Sequence, residues 1–136
     1  MVLQIHDNLL VSDLQQRFSK YFQYLKIEFY SNPHRSYEGS EEKYIISPGK
    51  RIGEIREIHL EGGLEIKSFY TVDRVERDFK EKFDLNVQVF RNENGGWIQT
   101  SKTDKYTLLQ QAEMVYNAHT SIFPIFQDQL GEYNYL

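Results

Sequence analysis

The stretch from Thr71 to Phe90, TVDRVERDFKEKFDLNVQVF, changes its hydrophobic period part-way along. Val72, Val75, Phe79 and Phe83 recur at spacings of three and four, which places them on one side of a helix. The other side is charged. Asp73 with Arg77, Glu76 with Lys80, and Asp78 with Lys82 each lie four apart with the acid first. That order favours helix pairing by roughly 0.2–0.5 kcal/mol per pair. Leu85, Val87 and Val89 then alternate with Asn86, Gln88 and Phe90, so a strand follows the helix almost at once.

An earlier stretch reads the same way. Val2 to Ile5 predicts a short strand with Leu3 and Ile5 on one face, and Asp7-Asn8 supplies turn chemistry. Ser12 with Gln15 predicts a capping box for a helix carrying Leu14, Phe18, Tyr21 and Phe22, ending near Phe22. Leu25 to Phe29 switches to strict alternation. Leu14, Phe18 and Phe22 match Val75, Phe79 and Phe83 at a shift of 61, and Leu25, Ile27 and Phe29 match Leu85, Val87 and Val89 at a shift of 60. Ser12 and Gln15 fall on Asp73 and Glu76, a second candidate cap. Residues 1–30 and 64–90 therefore read either as an internal repeat of a strand–helix–strand unit or as two unrelated units sharing a common pattern.

Between the two, Ser31 to Glu42 is a polar loop, and Tyr44 to Ile46 predicts a short edge strand before the Pro48-Gly49 turn. Glu54 to Leu60 and Leu64 to Tyr70 predict a hairpin turning at Glu61-Gly62-Gly63, with Ile58, Leu60, Leu64 and Ile66 as core contributors. Asn92 to Gly96 is the strongest turn signal, and Trp97 to Thr100 returns as a second arm. Thr107 with Gln110 caps a helix bearing Leu108, Ala112, Val115 and His119 on one face. In 121–136, Ile122, Phe123, Ile125, Phe126 and Leu130 are too apolar for a free tail, and Pro124 interrupts any helix. That C-terminal extension is expected to fold back onto the domain in cis, with docking in trans as the alternative.

The expected fold class is α+β: two layers, a mostly antiparallel sheet of five to seven strands with helices packed on one face. The order is β-α-β-β-β-α-β-β-α, and a ferredoxin-like core with additions is the nearest named arrangement.

With 136 residues, the chain reads as a single domain spanning 1–136. Its net charge of −4 and interleaved Lys, Arg, Asp and Glu argue against a nucleic-acid partner. There is no cysteine, which removes disulfides, thiolate zinc sites and cysteine nucleophiles. No apolar run approaches the roughly 18 residues of a membrane span, and the N-terminus lacks the basic flank of a secretory signal, so a cytoplasmic location and no membrane partner are expected.

Candidate chemistry is thin. Ser47-Pro48-Gly49-Lys50 lacks the upstream glycine and following hydroxyl of a phosphate loop, so it reads as a plain turn. His6, His34, His59 and His119 are widely separated, with no pair at helical ligand spacing. His59 and Glu61 would converge with His6 and Asp7 only if their strands pair. The acidic set Asp73, Glu76, Asp78, Glu81 and Asp84 alternates with Lys and Arg and reads as a solvated face. Paired catalytic carboxylates would need an apolar pocket to raise one pKa. No catalytic, cofactor-binding or metal residue and no cofactor is therefore assigned.

The phrases YLKIEFY (Tyr24–Tyr30), LNVQVFR (Leu85–Arg91), WIQT (Trp97–Thr100) and TDKYTLLQQ (Thr103–Gln111) resemble a pattern found in a group of small uncharacterised bacterial proteins. The resemblance spans most of the chain and implies a free-standing domain; it carries no activity, ligand or partner.

The leading expectation is a non-catalytic protein-interaction module with a protein partner or as a homodimer. Its contact candidates are Trp97, Phe123, Phe126, Tyr133 and Tyr135, with Trp97 otherwise a core or rim residue. The alternatives are a protein that binds a small apolar or aromatic ligand between helices and sheet, and a metal-assisted hydrolase using His59 and Glu61.

Overall fold

A computed structural model describes residues 1–33 and 38–116. The fold is α+β, and its helices and strands follow one another in the expected order, with one strand fewer between the first two helices. They are β1 (Val2–Ile5), α1 (Val11–Tyr21), β2 (Leu25–Tyr30), β3 (Gly62–Glu65), α2 (Val72–Phe83), β4 (Asn86–Glu93), β5 (Gly96–Gln99) and α3 (Leu108–Tyr116). Short 3-10 turns occupy Glu42–Tyr44, Ile52–Glu54 and Ser101–Thr103.

The strands form two antiparallel sheets, β1-β3 and β2-β4-β5, where the sequence suggested one. In the first, Leu3 faces Leu64; in the second, Glu28 faces Gln88 and β4 turns back to β5. Asn94 (φ 53°) and Gly95 (φ 81°) form the two-residue turn of that hairpin, the geometry that the Asn-Gly pair favours.

One core joins everything. Leu14 and Phe18 of α1, Val75, Phe79 and Phe83 of α2, and Leu108 and Ala112 of α3 pack with Leu25, Ile27, Phe29, Val87 and Val89 of the larger sheet. Phe29 meets Phe79 edge-to-face with ring centroids 6.0 Å apart. Leu3, Ile5, Leu64 and Ile66 add the smaller sheet to the same cluster. The opposite face of the larger sheet is partly covered by the segment after residue 38, where Ser40 bonds both Gln88 and Gln99.

Several local expectations need correcting. The α1 N-terminus is closed at Leu10, whose N–H donates to Asp13 at 2.9 Å, so Ser12 and Gln15 are not its box. On α2 the cap is Thr71 rather than Asp73, its hydroxyl accepting from the Arg74 N–H. The third box, Thr107 with Gln110, forms in both directions at 2.8 and 3.0 Å. Tyr44 to Ile46 supplies a single bridge, Ile45 to Tyr30, in place of a strand. Glu54 to Leu60 is not a strand, and Ile58 and Leu60 are 58% and 54% exposed rather than core. The cause is local: the N–H groups of Glu57 and Ile58 both donate to the Asp84 carboxylate at 3.0 Å, which diverts them from any ladder. The predicted extension over 121–136 lies outside the described residues. Among the described residues, no helix is long and apolar enough to cross a membrane.

Candidate functional site

β5 is the terminal strand of the larger sheet among the described residues. The Asn92 N–H donates to the Tyr24 carbonyl at 2.8 Å, so alternate residues of β4 bond toward β2 and the others toward β5. Arg91 and Glu93 therefore bond Ile98 and Gly96, and the backbone of Trp97 and Gln99 turns to the outer side. At the Gln99 end the side-chain carboxamide exchanges two hydrogen bonds with the Ser40 backbone at 2.9 and 2.8 Å, which holds that segment beside the strand. Among the described residues, the Trp97 end is open. Trp97 and Ile98 point to opposite faces and are 45% and 41% exposed. Lys26 lies 4.9 Å over the Trp97 ring and 5.1 Å over Phe90, and its ammonium also pairs with Glu28 at 3.2 Å. The indole is thus braced on one side and available on the other.

A second cluster surrounds Glu76, which is buried along with Asp78, contrary to the solvated helix face expected for both. Glu76 Oε2 accepts from the Val89 N–H at 2.8 Å and from Gln88 Nε2 at 3.1 Å. Thr100 gives its N–H and hydroxyl to the Val89 carbonyl at 3.2 and 2.9 Å. The Val89 N–H and carbonyl sit just where the β4–β5 ladder stops, and the Glu76 carboxylate and Thr100 take the place of the missing strand. Burial pushes the Glu76 carboxyl well above the ordinary range; the Val89 N–H opposes this, while Asp104 and Asp73 add to it. Burial also pushes Asp73 up, but hydrogen bonds from Lys105 and Thr71, with the charges of Lys105 and Arg77, outweigh it and hold Asp73 below its usual value. A cavity of about 250 Å³ beside Glu76 is lined by Asp73, Arg77, Lys80, Asn86 and Asp104 among others. Its walls are charged, unlike the Phe and Tyr lining expected for an apolar ligand. Of the predicted helix pairs, Asp78–Lys82 forms at 3.8 Å; Lys80 instead reaches Asp84 at 3.0 Å.

The third cluster brings together two of the four residues considered around His59. His59 Nδ1 lies 2.9 Å from Asp7 Oδ2, while Arg56 donates through Nε and Nη2 to Asp7 Oδ1 at 3.0 and 2.8 Å. Arg56 Nη1 also donates to the carbonyls of Leu60 and Phe83 at 2.8 and 3.0 Å. The hydrogen bonds from His59 and then Arg56 hold the Asp7 carboxyl below its usual range despite partial burial. The bonding is that of a clamp. It ties the 56–60 segment to the end of β1 and the end of α2. Glu61 is exposed, and His34 and His119 lie outside the described residues. Among the described residues, no three His, Cys, Asp or Glu side chains come together to hold a metal ion.

Of the sequence-named contact residues, Trp97 is therefore placed on the strand that ends the larger sheet among the described residues, whereas Phe123, Phe126, Tyr133 and Tyr135 lie outside the described residues. Sequence reasoning missed Arg56, Glu76 and Gln88 as buried polar anchors. Gln88 carried a faint signal, as a polar residue beside β-branched neighbours in a central strand; Arg56 carried none. No family model, curated protein or solved structure matches this chain.

Proposed function

We propose that this protein is a non-catalytic interaction module that receives an extended segment of a protein partner along the outer side of β5. The observation that supports it is the half-exposed Trp97 beside Ile98 on a terminal strand whose outer backbone is turned away from β4. An added strand gains main-chain hydrogen bonds there, and the indole supplies the large rigid contact on which interface energies concentrate.

Trp97 is the only tryptophan in the chain, which makes its fluorescence a direct reporter. Peptides selected from a displayed library against the full chain are expected to shift its emission to shorter wavelength. Trp97→Ala and Ile98→Lys are expected to weaken the selected peptides at least tenfold, about 1.4 kcal/mol, with far-UV circular dichroism unchanged. Sedimentation across a concentration range tests whether a second copy of the chain is that partner. A strictly monomeric protein whose selected binders ignore both substitutions removes the reading.

A further inference from the structure

The two halves of the chain repeat each other well beyond their hydrophobic pattern. The Val11 N–H donates to the Lys50 carbonyl at 2.8 Å, and the Val72 N–H to the Tyr106 carbonyl at 3.0 Å. Ser12 bonds Pro48 at 3.0 Å, and Asp73 bonds Asp104 at 2.8 Å. In the reverse direction Ile52 donates to Leu9 at 2.8 Å and Leu108 to Tyr70 at 3.0 Å, while Gly53 donates to Asp7 at 3.1 Å and Leu109 to Ser68 at 3.0 Å. In these four pairs the partners within 7–12 and 68–73 are displaced by 61, and those within 48–53 and 104–109 by 56. The bridges Leu10 to Arg51 and Thr71 to Thr107 obey the same displacements. So do the bonds that the Arg51 N–H donates to the Glu54 carboxylate and the Thr107 N–H to the Gln110 side-chain carbonyl, at 3.0 and 2.8 Å. Tyr24 and Asp84, 60 apart, both adopt positive φ (72° and 55°) between helix and strand.

The contacts between the halves obey a twofold rule. An antiparallel pair that joins two copies of one unit must place some residue opposite its own equivalent. Leu3 faces Leu64 at the shift of 61, and Glu28 faces Gln88 at the shift of 60. The neighbours follow: Ile27 with Val89 mirrors Phe29 with Val87, and Lys26 with Phe90 mirrors Tyr30 with Asn86. Even the polar bridge beside the axis is kept with its ends exchanged. Gln15 of α1 donates to Glu28 at 3.1 Å, whereas Gln88 donates to Glu76 of α2 at 3.1 Å. Amphipathic periodicity demands none of these bonds.

We infer that the chain is an internal duplication: 1–55 and 62–111 are two copies of one strand–helix–strand–turn unit related by a pseudo-twofold axis at Leu3/Leu64 and Glu28/Gln88. Where β5 lines β4 in the second copy, residues 44–46 line β2 in the first: Ile45 bridges Tyr30, and the Ile46 N–H donates to the Phe29 carbonyl at 2.8 Å as the Thr100 N–H donates to the Val89 carbonyl at 3.2 Å.

The test exchanges one half's bridge for the other's in the full chain. Gln15→Glu and Glu28→Gln are made singly and together. Each single variant is expected to lower the melting temperature. The double variant is expected to regain more than half of the summed loss, because the carboxylate at 15 gains the Phe29 N–H, as Glu76 holds the equivalent Val89 N–H. Amide exchange on the unmodified protein supplies a second readout. Val11 and Val72, Ser12 and Asp73, Ile52 and Leu108, and Gly53 and Leu109 are expected to match within about tenfold once sequence effects are removed. A double variant that loses the full sum, or protection that differs widely within the pairs, overturns the inference.

Discussion

The buried carboxyl of Glu76 makes stability depend on pH with the less common sign. Its folded pKa is raised by burial, so its contribution is complete below the unfolded pKa and is lost as pH rises through the folded value. Glu76→Gln keeps an acceptor for the Val89 N–H and removes the charge. Urea midpoints measured from about pH 4 to about pH 8 are expected to show the variant gaining on the natural protein as pH rises. A natural protein that gains on the variant would contradict the raised pKa. Glu76→Leu abandons the Val89 N–H and Gln88 and is expected to cost about 1–3 kcal/mol at the acid end of that range. Asp7 and Asp84 carry the ordinary sign. His59 with Arg56 lowers the first, the Ile58 N–H with Lys80 lowers the second, and their contribution is present above the unfolded pKa and fades as pH falls through the depressed values.

The segment 56–60 shows how an element is set by side chains distant in sequence. Its alternating Ile58 and Leu60 look like a strand, yet Asp84 takes the two N–H groups that a ladder would use. Ile58→Ser and Leu60→Ser are expected to change stability by less than about 0.5 kcal/mol, whereas Phe79→Ala is expected to cost about 3–5 kcal/mol. Chemical denaturation separates the two cases directly. Asp84→Ala is expected to release the Glu57 and Ile58 amides to faster exchange while the core amides keep their protection; unchanged exchange there would show that Asp84 is not the anchor. The same contrast explains what the sequence could reveal. Val72, Val75, Phe79 and Phe83 declare α2, and Asn94-Gly95 declares the hairpin, because each depends on neighbours within a few residues. The two-sheet division depends on which edges meet, and the Glu76–Val89 and Arg56–Asp7 bonds cross 13 and 49 residues. Of the candidate site, Trp97 was legible as a large ring after a glycine turn, and the meeting of His59 with Asp7 was open to the sequence only if their strands paired.

For the whole molecule, the two pairings that join the halves decide how it unfolds. Among the described residues, β1 pairs only with β3 and β2 joins the larger sheet only through β4. If one half melts, the first therefore loses both its strand partners and the second keeps only the β4–β5 hairpin. The core is shared in the same way: Phe29 of the first half rests on Phe79 of the second, and both belong to one cluster with Leu3 and Leu64. Unfolding is therefore expected to be a single cooperative transition. Trp97 sits on β5, far along the chain from β1 and α1, so its fluorescence and far-UV circular dichroism sample different regions. The two urea curves are expected to coincide, with equal midpoints and slopes. If Trp97 responds at a clearly lower denaturant concentration, β5 is a separately opening edge and the shared core ends at β4. Coincidence would instead mean that the edge offered to a partner is as firmly held as the core behind it, which lowers the ordering cost of adding a strand there.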